Sequence, residues 1–88
     1  MARIIVYHYS KAARVPPLTA EQCADIRRRY DAVLKSYPGV AFHGVFVGAA
    51  GQGFCDWEAP NIEVVKEIIT KVDGHPPVDD VCEVRKLL

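Results

Sequence analysis

The chain predicts an α+β sandwich, one antiparallel sheet packed under two helices. Three observations carry that expectation. Runs rich in β-branched and aromatic residues alternate with segments of helical spacing, in the order strand, helix, strand, strand, helix, strand. Both helical segments open on a residue suited to cap them. Hydrophobic residues make up 50% of the 88, so a small domain can bury a core without metal or disulfide staples.

The elements follow in order. Arg3 to Tyr9, RIIVYHY, is β-branched and aromatic, hence a strand. SKAARVPP is a polar loop closed by prolines. In LTAEQ, Thr19 is the N-cap and Gln22 completes a capping box. Cys23, Ile26, Tyr30, Val33, Leu34 and Tyr37 then recur at helical spacing, until Pro38 and Gly39 stop the helix. Val40 to Val47, VAFHGVFV, is the second strand, and GAAGQG is a flexible turn into the third, Phe54 to Glu58. Asn61 caps the next helix, with Glu63 in its first turn, where a carboxylate suits the helix dipole. Ile62, Val65, Ile68, Ile69 and Val72 form its apolar stripe, and Gly74 ends it. HPPVDD is a loop, and Val81 to Leu87 the last strand. Two split β-α-β units of this length give a ferredoxin-like βαββαβ sandwich, a single domain over residues 1–88 with sheet order 4-1-3-2. Both helices cover one face. The other is left for water, a ligand or a second subunit.

Alternation assigns the faces. Ile4, Val6 and His8 point toward the helices, as do Cys55 and Trp57, and Cys82 and Val84. With an even hairpin register, His43 and Val45 join them. The open face then carries Ile5, Tyr7, Tyr9, Phe42, Phe46 and Phe54 with Asp56, Glu58, Glu83 and Arg85. Monomers rarely expose such a patch, so a homodimer through this face is expected. The charges pair across it, contact a ligand, or form an ion-pair cluster of their own.

Several functions are disfavoured. The formal net charge is zero, against a general nucleic-acid binder. AGQGFCDW resembles the RNA-recognition octamer at Gly51, Gly53, Phe54 and Trp57. Yet only Phe54 keeps a stacking side chain, and Asp56 and Glu58 repel phosphate. Arg27 to Arg29 are compensated by Asp25 and Asp31 one helical turn away. GAAGQG joins two strands and lacks the helix dipole of a phosphate loop. Arg14 lies in the first strand-to-helix loop, but the anion-binding pattern of acylphosphatases does not surround it. No stretch has the length of a membrane span or a signal-peptide core. The three cysteines are scattered, which fits reduced thiols in a cytoplasmic protein.

Metal binding is the sharper hypothesis. His8 and His43 fall at opposite ends of the sheet, well over ~10 Å apart at ~3.3 Å per residue and ~4.8 Å per strand, too far to share an ion. Cys55 and Cys82 flank His8 on neighbouring strands, and Cys23 lies in the first turn of the helix above. His8, Cys23, Cys55 and Cys82 are therefore a candidate set for zinc or another borderline-to-soft ion. The bland alternative is that the thiols are small core hydrophobes. Surface binding of nickel by His75 or His8 with Asp79 or Asp80 is a further possibility.

The stretch from Gly53 to Leu87 adds a resemblance. FCDWEAP and VCEVR resemble the Cys-x-aromatic-Glu-Ala-Pro and Val-x-Glu-Val-Arg motifs of a family of small bacterial proteins. The matching residues are Cys55, Trp57, Glu58, Ala59 and Pro60, then Val81, Glu83, Val84 and Arg85. The resemblance implies a ferredoxin-like dimer from a family mostly of unknown function that includes a nickel-responsive, nickel-binding protein. Tyr7 stands where that family tends to carry an outward acidic residue. The leading expectation is a small dimeric binding or sensing protein with nickel or zinc as its ligand. The alternatives are a cofactor-independent monooxygenase or isomerase, with His43 as base beside Trp57, Tyr30 and Tyr37, and a purely structural domain.

Overall fold

The computed structural model describes residues 1–88 and has the expected order: β1 (Ala2–His8), α1 (Ala20–Leu34), β2 (Ala41–Val47), β3 (Gly53–Ala59), α2 (Ile62–Asp73) and β4 (Val81–Val84). The sheet runs β2-β3-β1-β4, which is 4-1-3-2 read from the other edge, with every pairing antiparallel. β1 is central, paired with β3 from Ala2↔Ala59 to His8↔Gly53.

The helices begin where their caps allow. Thr19 accepts from the Gln22 amide while the Gln22 side chain accepts from the Thr19 amide, which satisfies donors that a helix start leaves unpaired. Asn61 does the same for Val64. α1 stops at Leu34, earlier than its apolar spacing suggested. Ser36 and Tyr37 instead donate to Val33 and Leu34 in a tighter turn, because the residue before Pro38 resists the helical conformation.

The core lies between sheet and helices. Ile4, Val6, Cys55, Trp57 and Ala59 rise from the two central strands to meet Tyr30 of α1 and Val65, Ile68 and Ile69 of α2. Phe42 stacks on Trp57 with ring centroids 4.4 Å apart, and Tyr30 closes on both. Trp57 is wholly buried, and its Nε1 has no hydrogen-bond partner. Large apolar side chains buried like this contribute about 1.5–3 kcal/mol each before packing terms.

Three expectations are corrected. β2 carries a bulge between Phe42 and Gly44. One extra residue there inverts the alternation, so Phe42 is buried against Trp57 while His43 is exposed on the open face. Gly44 has φ +134°, where an L side chain is strained. The second correction concerns β4. Glu83 is opposite Ile4 and Cys82 opposite Ile5. Opposed residues share a face, so Val81 and Glu83 lie on the helix side, while Cys82 and Val84 lie on the open side. Third, the strand ends at Val84 rather than Leu87, because its partner β1 runs out: Arg3 pairs with Val84 and Ala2 is the first residue of β1.

Candidate functional site

The site is built at the end of the sandwich where β1 ends. Here α1 has only begun, and the Ser10–Leu18 segment bridges the gap. Asp79 holds the start of that segment, accepting from the Tyr9 and Ser10 amides at 2.7 Å and from Ser10 Oγ at 2.6 Å. These bonds, led by those from Ser10, hold its carboxyl below the usual value. The Val15 amide ties the segment to the hairpin turn by donating to the Gly51 carbonyl at 3.0 Å. A side chain on Gly51 would meet the Val15 carbonyl at 2.7 Å, so the turn needs glycine for this approach.

Beneath this rim lies a cavity of about 540 Å³ with mainly apolar walls. Val6, Tyr30, Phe42, Val45 and Ile69 are among them, with loop residues Ala12, Val15, Leu18 and Val78. His8 and Cys55 form its polar centre, with His8 Nε2 and Cys55 Sγ 2.8 Å apart. The other ring nitrogen, Nδ1, lies 3.1 Å from the Ala13 carbonyl. A carbonyl only accepts, so Nδ1 carries the proton, and in the neutral ring Nε2 is bare and accepts from the thiol. Burial first, and the Asp73 carboxylate second, push the Cys55 thiol up to about 12. The same two causes raise the Tyr30 hydroxyl, whose oxygen lies 3.4 Å from each oxygen of Asp73. At neutral pH Cys55 is thus a protonated thiol and not a thiolate.

Of the expected metal set, His8 and Cys55 are brought together. Cys23 lines the same cavity from α1 but is exposed. Cys82 lies on the opposite face of the sheet, because β4 is inverted relative to the expectation. No group of three or more His, Cys, Asp or Glu side chains is placed to hold an ion. The donors that do meet suit a transition metal. A sulfur and a nitrogen are the ligand types that select borderline-to-soft metals. At 2.8 Å they are at hydrogen-bond distance, closer than the roughly 3.6 Å between two ligands of a tetrahedral ion with bonds of ~2.3 and ~2.1 Å, so the pair must lose the thiol proton and spread to share an ion. His75 also lines the cavity, its Nδ1 turned to the Pro76 carbonyl at 2.9 Å, and Asp79 is occupied by the loop clamp.

The pair proposed for catalysis is not assembled. Trp57 is sealed in the core, and His43 lies beyond the sheet with its Nε2 2.8 Å from Glu58 Oε1. Tyr30 lines the cavity, while Tyr37 is engaged outside it with Glu67 and Lys71.

The open face holds the remaining candidates. Phe46 and Phe54 pack with centroids 5.4 Å apart, as do Tyr7 and Tyr9. Asp56 is buried even on this side, and Arg3 grips both of its oxygens, one at 2.7 Å. Arg85 borders a shallow depression that Arg3, Asp56, Phe46 and Phe54 also line, whereas Glu83 is on the helix side and exposed. The sequence reading missed Arg3, although alternation back from Ile5 puts it on the open face beside an acid that needs a cation. It also missed the Ala13 carbonyl, for which no sequence signal exists.

Comparison with known proteins agrees with this architecture. The sequence profile of a family described as nickel responsive protein SCO4226-like matches residues 4–84. The crystal structure of SCO4226 from Streptomyces coelicolor A3(2) aligns with a TM-score of 0.73 at 25% identity, over 99% of this chain and 100% of that one. No curated protein matches significantly. With the family profile spanning all six elements, from within β1 to the last residue of β4, the chain belongs to the SCO4226-like nickel responsive protein family.

Proposed function

We propose that this protein is a small binding or sensing protein for a transition metal of the nickel or zinc kind, and that His8 and Cys55 are the core of its metal site. The observation that carries this reading is the 2.8 Å approach of an imidazole nitrogen to a thiol sulfur inside a lined cavity. The printed name of its family, nickel responsive, supports a metal-related role. The Ala13 carbonyl fixes the ring so that Nε2 faces inward, the arrangement that prepares a histidine to ligate. Two protein donors leave other positions on an ion open to water or exchangeable ligands. That suits reversible sensing better than a closed structural site. A bound ion would supply Lewis acidity, and the chain's own part would be to orient His8 and give up the Cys55 proton.

The open sheet face supports a homodimer in this reading. Phe46 and Tyr9 are each about half exposed, and the pairs Phe46–Phe54 and Tyr7–Tyr9 set aromatic rings together on this face, the kind of apolar surface that a second copy covers. Three unpaired thiols fit a reducing compartment such as the cytoplasm.

The test is metal content by mass spectrometry on untagged protein purified under reducing conditions, then loaded with nickel and desalted. About one equivalent per chain is expected, falling to background in Cys55→Ser and in His8→Phe. Equal loading of wild type and both variants would overturn the assignment of these residues.

A further inference from the structure

We propose that the helix-side cavity also binds an uncharged aromatic compound bearing a hydroxyl group, held by donation of that hydroxyl to His8 Nε2. This goes beyond the metal reading and does not rest on it. Size is the first argument. At about 540 Å³ the cavity falls inside the ~300–1,000 Å³ range of small-molecule sites and exceeds what a bare ion and its waters require. The walls are the second. Tyr30 and Phe42 present tilted rings 4.8 Å apart, and Val6, Val45 and Ile69 complete an apolar lining that an aromatic ring fills well.

The polar groups narrow the class. Asp73 lines the cavity with its oxygens 3.4 Å from the Tyr30 hydroxyl, so an anionic ligand meets repulsion, while Arg14, which also lines it, is exposed at the rim where solvent and salt screen its charge. Arg27 lines it too, but its guanidinium is engaged by Asp31 at 3.1 Å and by the Phe42 carbonyl at 2.8 Å. An acceptor remains, His8 Nε2, locked toward the interior by the Nδ1 bond to Ala13. Its present donor is a thiol, a weak one. A phenolic or enolic O–H is a stronger donor and replaces it without leaving a buried charge. Ligand and metal would then compete for one nitrogen.

The probe is 1-naphthol, titrated into the full chain with a chelator present, followed by ¹H–¹⁵N correlation spectra. Saturable shifts are expected at His8, Cys55, Tyr30 and the Ala12–Val15 segment. Naphthalene should bind about fivefold more weakly, the worth of one neutral hydrogen bond, and 1-naphthoate more weakly still. His8→Phe should erase the preference for naphthol over naphthalene. Val45→Trp puts a large side chain into the cavity from a half-exposed strand position that tolerates it, and should weaken naphthol about tenfold or more. Absence of saturable shifts, equal affinity for naphthol and naphthalene, tighter binding of naphthoate, or unchanged binding in Val45→Trp would each overturn the proposal. The last arms decide even if His8→Phe does not fold.

Discussion

A single backbone carbonyl, that of Ala13, decides the chemistry of the residue at the centre of the cavity. It accepts a hydrogen bond from His8 Nδ1–H and so leaves Nε2 free to accept from the Cys55 thiol. Cys55 then differs sharply from its two counterparts, which are exposed. With its thiol pushed up to about 12, it is not ionised at neutral pH, and it shows only a small surface, at the cavity wall, to a bulky reagent. Titration with a disulfide reagent near neutral pH should give two fast equivalents, Cys23 and Cys82, and one slow equivalent that accelerates only on unfolding. Three fast equivalents would mean that Cys55 is not held as a buried, un-ionised thiol. The raised thiol also sets a stability trend. Its contribution is complete below the ordinary thiol value of 9.0 and is lost as pH rises toward about 12. That Cys55 faces the helices was legible from alternation with Trp57. The Nδ1 contact was not, because nothing in KAARV announces which carbonyl will meet a ring five residues back in the chain.

At the scale of elements, the bulge in β2 has the largest consequence. It moves Phe42 into the core and His43 out to Glu58, and so removes the histidine that a regular strand would have delivered to the helix side. Gly44 makes the bulge possible with its φ of +134°. Gly44→Ala meets no close atom, since its Cβ would lie 4.0 Å from the Phe46 ring, so its cost is backbone strain alone. We expect a loss of about 1–3 kcal/mol in urea unfolding, with the fold retained. A neutral result would mean that the bulge relaxes without cost. The order of elements, their caps and the sheet order were legible, because hydrophobic period and capping chemistry are local. The faces of β4 and of β2 before Gly44 were not, whereas Val45 and Phe46 lie where alternation put them. One inserted residue flips the part of β2 that precedes it, and β4 has only four residues, too few for alternation to outvote where its partner strand begins.

For the whole molecule, the two faces of the sandwich differ in what they carry. The helix side holds the core and the cavity. The open side holds paired aromatics around the Arg3–Asp56 ion pair, with His43 and Glu58 at its edge. A dimer through this face should be visible by light scattering as twice the chain mass of 9.8 kDa. Phe46→Lys, which places a charge in the exposed aromatic pair, should shift the population to monomer without loss of helical signal. A dimer that survives Phe46→Lys unchanged would locate the interface elsewhere. The aromatic composition of this face was legible from the sequence. Its membership was not fully so, because Phe42 leaves it and Cys82 and Val84 enter it.

The central claim is that His8 and Cys55 form the metal-responsive core. A nickel titration followed by thiolate-to-metal charge-transfer absorption, repeated at several values between about pH 7 and pH 9, tests it most directly. Binding through Cys55 must release a proton from a thiol held well above that range, so affinity should rise about tenfold per pH unit. Cys55→Ser should abolish both the absorption band and the slope. A band that persists in Cys55→Ser, or an affinity flat in pH, would contradict the account and place the nickel response on other residues.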